Sequence, residues 1–405
     1  MFSLTLAAAL AATQPAASDV DARVARILSQ TPLVDGHNDL PYALAGDAGG
    51  SVEGIDAGTP YMTDLERMRE GRVGAQMWSV YIPASTTGDE AIRTTIEQLD
   101  TVDRMVRAYP QDLAWARTAD EVVAQFRDGR IASMAGVEGG HQIGGKLAAL
   151  RQFKRLGAIY MTLTHSRTTG WADSATDAPK HGGLSDFGRT VIGEMNRVGM
   201  LVDLSHVSAE AMHDVLDMTK APVIFSHSNA RALATHPRNV PDAVLERLSD
   251  NGGVVMVTFV PTFLADEIWQ FNAGRTAFEA GLEATNPGSP ETVEAAMKIF
   301  DENHERPAAT IAMVADHIEH IAKVAGHDHV GIGGDLDGIS QTVEGLDSVD
   351  DYPALFAELV RRGWSDENLA KLAGGNVLRV MRAAEAVATD LAAAPAALDK
   401  PDMAD

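Results

Sequence analysis

The chain has 405 residues, of which 45% are hydrophobic and 22% charged, ordinary globular usage that excludes wholesale disorder and fibrous repeats. Its 57 acidic against 33 basic residues leave a net charge of −24, which makes nucleic acid and anionic lipid poor partners. There is no cysteine, so disulfides, thiolate nucleophiles, iron–sulfur clusters and cysteine zinc sites are excluded, and any metal must sit on His, Asp and Glu.

Residues 1–18 carry no charge and hold a short apolar run from Leu4 to Ala12, followed by the small residues Ala16, Ala17 and Ser18. This pattern resembles a secretory signal peptide cut near Ser18, although its start lacks the usual Lys or Arg. It predicts a periplasmic or secreted protein, with a cytoplasmic one as the alternative. No other stretch approaches the ~20 apolar residues that span a bilayer, so no membrane anchor is expected.

Eight short apolar, β-branched runs then follow in order. They are LVDGHNDL (33–40), VGAQMWSVYI (73–82), IASMAGVEGG (131–140), AIYMTLTH (158–165), MLVDLSHVS (200–208), PVIFSHS (222–228), GGVVMVTFV (252–260) and HVGIGGDLDG (329–338). Near-continuous apolar strands are what a parallel sheet covered on both faces requires. The stretches between them repeat apolar residues at three and four, the spacing of amphipathic helices, and several end at a glycine suited to the C′ position: Gly157, Gly199 and Gly252. Eight β–α units predict an α/β (β/α)8 TIM-type barrel over 19–387, with a doubly wound open sheet as the alternative from periodicity alone. After the seventh run, residues 261–307 read as an inserted helical hairpin broken at NPGSP, and from about residue 388 the Ala/Pro-rich sequence reads as a flexible tail.

The runs close on ionisable residues: His37 and Asp39, Glu138, His165, His206, His227 and Asp335. In a barrel, C-terminal strand ends share one mouth, so residues 300 positions apart would meet. The two-residue spacing of His37 and Asp39 sends both to one side of a strand. Three His, one Asp and one Glu suit zinc or a similar divalent ion, and five ligands exceed what one catalytic zinc takes. They fit two metals bridged by Glu138 and a water, with His37 and Asp39 on one, His206 and His227 on the other, and Asp335 beside the water as proton acceptor and donor. Taken singly, each of these residues is more simply a surface pair or a hydrogen-bonded structural histidine; the set is what reverses that reading. DLDG lacks the further acidic ligands of a calcium loop. Ser205-His206 and Ser226-His227 are adjacent and should face apart on a strand, and no GxSxG or HExxH is present, which disfavours serine and thermolysin-like catalysis.

VDGHNDLP, VGAQMWSVYIP, GVEGGHQIG, YMTLTHSRTTGWADS, LVDLSHVS, PVIFSHSNARAL, RNVPDAVL and HVGIGGDLDGI, in that order, resemble the membrane (renal-type) dipeptidases, amidohydrolase-like metal barrels, from about Pro32 to Met381. The resemblance implies a dipeptidase with two zinc ions that attacks the peptide bond with a metal-bridging hydroxide. It assigns His37 and Asp39 to one zinc, His206 and His227 to the other, and Glu138 to both. It implies that His165 contacts the substrate and stabilises the tetrahedral oxyanion, that Arg238 holds the substrate carboxylate, and that Asp335 is the acid/base. Arg238 is picked out by the resemblance alone. Animal members carry cysteines and a C-terminal lipid anchor, both absent here, so a protein free of the membrane is expected and any homodimer would be non-covalent. Two alternatives stand beside this reading: a related barrel acting on a lactam or N-acyl amino acid, and a catalytically silent metal-binding protein.

Overall fold

Strands that are apolar on both faces need a helix on one side and each other on the other, and the alternating pattern supplies both. The computed structural model describes residues 17–399; most of the expected signal peptide, residues 1–16, and the chain end, 400–405, lie outside the described residues. The strands are β1 Leu33–Asn38, β2 Val73–Tyr81, β3 Leu113–Trp115, β4 Ile131–Glu138, β5 Ala158–Thr162, β6 Leu201–Asp203, β7 Ile224–Phe225, β8 Val254–Val257 and β9 Val330–Ile332. All pair in parallel, in the order β2-β1-β9-β8-β7-β6-β5-β4, and β2 pairs with β4 to close an eight-stranded barrel. The expected (β/α)8 barrel is therefore the fold, and the open sheet is not.

One strand was not foreseen. β3 pairs Leu113 to Trp115 with Ile131 to Ser133 at the start of β4, and β5 takes over the same edge from Ala135 onward. Three residues are too short to leave a periodic signal.

Strand residues are buried almost throughout. One apolar cluster joins Val34, Met77, Met134, Leu201 and Met256 of the barrel to Val377 and Met381 of the C-terminal helix Asn376–Leu391. Each such side chain contributes roughly 1.5–3 kcal/mol on burial. Gly157, Gly199 and Gly252 end their helices with φ of 122°, 70° and 81°, the conformations expected of glycine there. No helix among the described residues is long and apolar enough to cross a membrane.

After β8, the seventh barrel strand, come a short turn of helix Pro261–Phe263 and the helices Asp266–Thr285 and Pro290–Asn303. Arg275 ties the two helices together with two 2.8 Å bonds to Asp301. The segment read as a loose tail is partly held. The last helix runs to Leu391, the Ala397 carbonyl accepts from Arg151, and Asp399 accepts the Leu147 N–H.

Candidate active site

Seven of the eight expected site residues lie at or just beyond the C-terminal ends of strands. His37 lies in β1 and Glu138 closes β4, while His165, His206, His227 and Asp335 stand two or three residues beyond β5, β6, β7 and β9. The strands are shorter than the apolar runs because the chain turns out of the sheet to build the mouth. His206 and Asp335 do so with φ of +72° and +65°, conformations that cost a non-glycine residue about 1–3 kcal/mol and concentrate at functional sites. Asp39 has also left the strand, at φ −99° and ψ 13° ahead of the helix Leu40–Asp47. Strand alternation therefore does not place it. The turn into the helix does, leaving Asp39 Oδ2 3.3 Å from His37 Nε2.

Glu138 is the centre. Its Oε1 lies 3.0 Å from His206 Nε2, 3.5 Å from both His37 and His227 Nε2, and 3.8 Å from His165 Nε2. Its Oε2 accepts from the Ser79 hydroxyl at 3.2 Å. Three overlapping donor sets, each within 4.8 Å, result: His37, Glu138 and His227; Glu138, His165 and His206; His37, Asp39 and Asp335. His165 and Asp335, which the sequence reading kept outside the ligands, thus stand among them.

Hydrogen bonds fix which nitrogen His37 presents. The Gly36 carbonyl can only accept, so the Tyr160 hydroxyl donates to it at 3.2 Å and takes the His37 Nδ1–H at 3.0 Å. His37 Nε2 is then left facing Glu138, buried and without a hydrogen-bond partner among the described residues. Glycine at position 136 makes this possible, since a Cβ there would strike the Tyr160 ring. On His227, Nδ1 is 2.8 Å from the Ser226 hydroxyl. This corrects the expectation that Ser226 and His227 face apart, because the regular strand ends at Phe225. Ser226 is fully buried and off the cavity wall, so it orients the imidazole and is no nucleophile.

The electrostatics suit cations. Burial holds His206 and His227 well below the ordinary imidazole pKa, and the Arg238 charge adds to it, so both keep free lone pairs at neutral pH. Burial would raise the Glu138 pKa, but His37, His165 and His206 outweigh it and hold the carboxylate ionised. Burial pushes Asp335 well above the carboxylate range, with Asp39 and Glu138 adding to the effect. Among the described residues, Asp39, Glu138 and Asp335 converge near one buried guanidinium, that of Arg238, and buried carboxylates of that kind call for positive partners. Imidazole nitrogens and carboxylate oxygens at this spacing fit zinc or a similar divalent ion.

The cavity above holds about 350 Å³ and is lined by Arg238, Phe263, Val260, Tyr42 and Tyr81 among others. Arg238 is 4% exposed. Its guanidinium reaches the Ser228 hydroxyl at 3.3 Å and the His227 carbonyl at 3.2 Å, and lies 5.3 Å from the Phe263 ring centre. Ser79, Tyr42 and Phe263 carry no mark of the site in the sequence, and Ser226 stands out there only as a nucleophile candidate. Tyr160 and Tyr81 did leave a signal there, as polar-tipped rings inside otherwise apolar runs.

Residues 21–395 match the membrane dipeptidases, peptidase family M19. A protein named dipeptidase verJ, from Clonostachys rogersoniana, is 40% identical over 375 residues, covering 89% of this chain and 86% of its own. Among solved structures, the probable dipeptidase PvdM from Pseudomonas aeruginosa superposes with a TM-score of 0.79 at 25% identity, over 92% of this chain and 100% of that one. A metallopeptidase described as dipeptidase AC does so at 0.72 and 25% identity, over 87% of this chain and 98% of that one. The chain belongs to the membrane dipeptidase family and is a metal-dependent hydrolase of dipeptides.

Proposed function

We propose that the protein hydrolyses dipeptides bearing a free C-terminal carboxylate, with two divalent cations, zinc by donor type. His37 and Asp39 would hold one, His206 and His227 the other, and Glu138 both. The observation that carries this reading is the convergence of four imidazole Nε2 atoms on one Glu138 oxygen at 3.0–3.8 Å, beneath a cavity walled by a buried arginine. Cations bound there supply Lewis acidity, which acidifies water near neutral pH and polarises the scissile carbonyl.

The chain's own groups do the rest. Arg238 pairs with the substrate carboxylate through two parallel hydrogen bonds and so selects short peptides with a free end. His165 donates to the carbonyl oxygen as negative charge develops on it. Asp335 takes the proton that water loses on attacking the carbonyl carbon and returns it to the departing amine nitrogen. A carboxyl pushed up by burial is suited to carrying a proton in both directions. A cavity of about 350 Å³ is at the small end of ligand sites, in keeping with a short peptide.

The test is a panel of L,L and L,D dipeptides, their C-terminal amides, an N-acyl amino acid and a lactam, run on metal-stripped and zinc-reloaded protein. Two zinc ions per chain and chelation-sensitive cleavage of dipeptides, with amides slow, are expected. Preference for the N-acyl compound or the lactam over every dipeptide would move the assignment to the alternative substrate class. One zinc or none after reloading would refute the bridged site.

A further inference from the structure

Two barrel strands begin with the same three residues. Leu33-Val34-Asp35 precedes His37 by two positions from Asp35, and Leu201-Val202-Asp203 precedes His206 by three from Asp203. In the closed ring β1 and β6 stand opposite each other, four strands apart either way round. Asp35 and Asp203 are both fully buried, and neither forms an ion pair among the described residues. None of the roles assigned above uses them.

Their hydrogen bonds follow one plan. Asp35 Oδ1 accepts the N–H of His37 at 3.3 Å and, across to the next strand, the N–H of Gly334 at 2.8 Å. Asp203 Oδ1 accepts the N–H of Ser205 at 3.0 Å and, across to its neighbour, the N–H of Ser226 at 2.9 Å. Gly334 precedes Asp335, Ser205 precedes His206, and Ser226 precedes His227. Each carboxylate therefore clamps the backbone at two site residues on adjacent strands, at the level where the chain leaves the sheet and ladder bonds run out. The Oδ2 atoms differ. That of Asp35 takes Gln76 at 3.0 Å and the Tyr352 hydroxyl at 2.7 Å, whereas that of Asp203 has no hydrogen-bond partner.

A neutral Asn would accept the same two N–H groups, so the clamp alone does not explain a carboxylate at either position. Burying an unpaired charge is costly unless positive charge stands nearby. We propose that Asp35 and Asp203 are positioning residues for the metal site: they fix the backbone of His37, Asp335, His206 and His227, and their negative charge strengthens the hold on the cations from below. The inference rests on the two-metal reading.

Zinc binding by the full-length chain tests it through competition with a chromophoric chelator, alongside thermal unfolding of the metal-free protein. Asp203→Asn retains both N–H bonds and removes the charge, and it places an amide NH2 where Oδ2 had no hydrogen-bond partner, which costs stability but not the clamp. The metal-free variant should melt within a few degrees of wild type yet bind zinc about 10- to 100-fold more weakly, the range for lost outer partners of metal ligands. Asp203→Ala, which also loses the clamp, should bind more weakly still. Asp35→Asn should weaken zinc binding over the same range but lose more stability, because its amide meets the Gln76 and Tyr352 donors. Where it unfolds, Tyr352→Phe approaches the same carboxylate from outside and should lower zinc affinity by a smaller factor. Asn variants within threefold of wild-type affinity would overturn the charge role, and Ala variants within threefold would overturn the clamp. A buried core variant outside the residues assigned to the site, Val314→Ala, is the control. Equal weakening there at equal loss of stability would show a merely structural effect and overturn the proposal. Fewer than two zinc ions on wild type itself would instead defeat the metal reading and this inference with it.

Discussion

Arg238 gives the most discriminating test of the substrate assignment. Burial lowers its pKa to about 10, with Asp335, Glu138 and Asp203 opposing the effect. Against an ordinary guanidinium value above 12, that corresponds to about 3 kcal/mol spent on keeping the charge buried in the free protein. The Ser228 and His227 hydrogen bonds, at 3.3 and 3.2 Å, return roughly 1 kcal/mol each. Arg238→Met removes the cost and the bonds together, so global stability should change by less than about 2 kcal/mol. Binding should change far more. A charge-assisted bond to the substrate carboxylate contributes ~1.5–3 kcal/mol, or roughly 10- to 150-fold in kcat/KM. Arg238→Lys keeps the charge without the fork and should fall between. The assay compares a dipeptide with its C-terminal amide in wild type and both variants, a double-mutant cycle. The amide has no carboxylate to lose and should be nearly indifferent to the variants. Equal losses on both substrates would mean that Arg238 supports the loop rather than the ligand.

Asp335→Asn should retain both metal ions and lower kcat by about 10² to 10⁴, the range for loss of a general acid–base, whereas activity within threefold of wild type would remove Asp335 from the proton path. Gly136→Ala should destabilise the fold by about 1–3 kcal/mol in urea titrations and weaken metal binding, because the new methyl group displaces Tyr160 from His37; unchanged stability would show that the two strands yield more than close packing allows. His317 accepts the Ala230 N–H on Nδ1 and reaches the Leu264 carbonyl with Nε2, and burial lowers its pKa to about 4. A histidine shifted down from about 6.5 stabilises the fold fully above pH 6.5 and loses that contribution as pH falls toward 4. Between pH 7 and pH 5 the loss should be roughly 2 kcal/mol, and His317→Gln should lack that part of the wild-type slope; parallel slopes would refute it.

What the sequence disclosed follows from what the fold demands. Barrel strands are covered on both faces, so eight apolar runs stand out, and any charged group at the end of such a run is conspicuous. That made His37, Asp39, Glu138, His165, His206, His227 and Asp335 readable. β3 was hidden by its length. Arg238 was hidden by its path: it lies in a loop that leaves β7 and comes back, closed by the Val240 N–H on the Asn229 carbonyl at 2.7 Å and the Arg231 N–H on the Val240 carbonyl at 2.9 Å. Periodicity encodes no such return, so only the family resemblance singled Arg238 out. Strand alternation does not hold for Ser226 and His227 for a related reason: the regular strand stops at Phe225.

The insertion after β8 meets the site at its root. Of the hairpin segment, Phe263 lines the cavity, next to Val260 at the end of β8's extended run. The helix Asp266–Thr285 instead lines a neighbouring recess of about 340 Å³ through Asn272, Arg275 and Thr276, which shares Val260, Gly338 and Ile339 with the cavity. The root is braced against the Arg238 loop. The His236 ring packs 4.4 Å from Phe263 and 4.8 Å from Trp269, and its Nδ1 accepts the Arg238 N–H at 3.2 Å. Asp266 accepts the Thr235 N–H at 2.6 Å, and His317 bridges Ala230 to Leu264. Barrels vary substrate through their loops while the strand ends keep the chemistry. Here the loop that carries the arginine and the loop that carries the insertion form one packed unit, ring tilted against ring. A change in the hairpin's root would therefore reach the wall that holds Arg238 before it reached Glu138 or the histidines, which the strand ends hold from the opposite side.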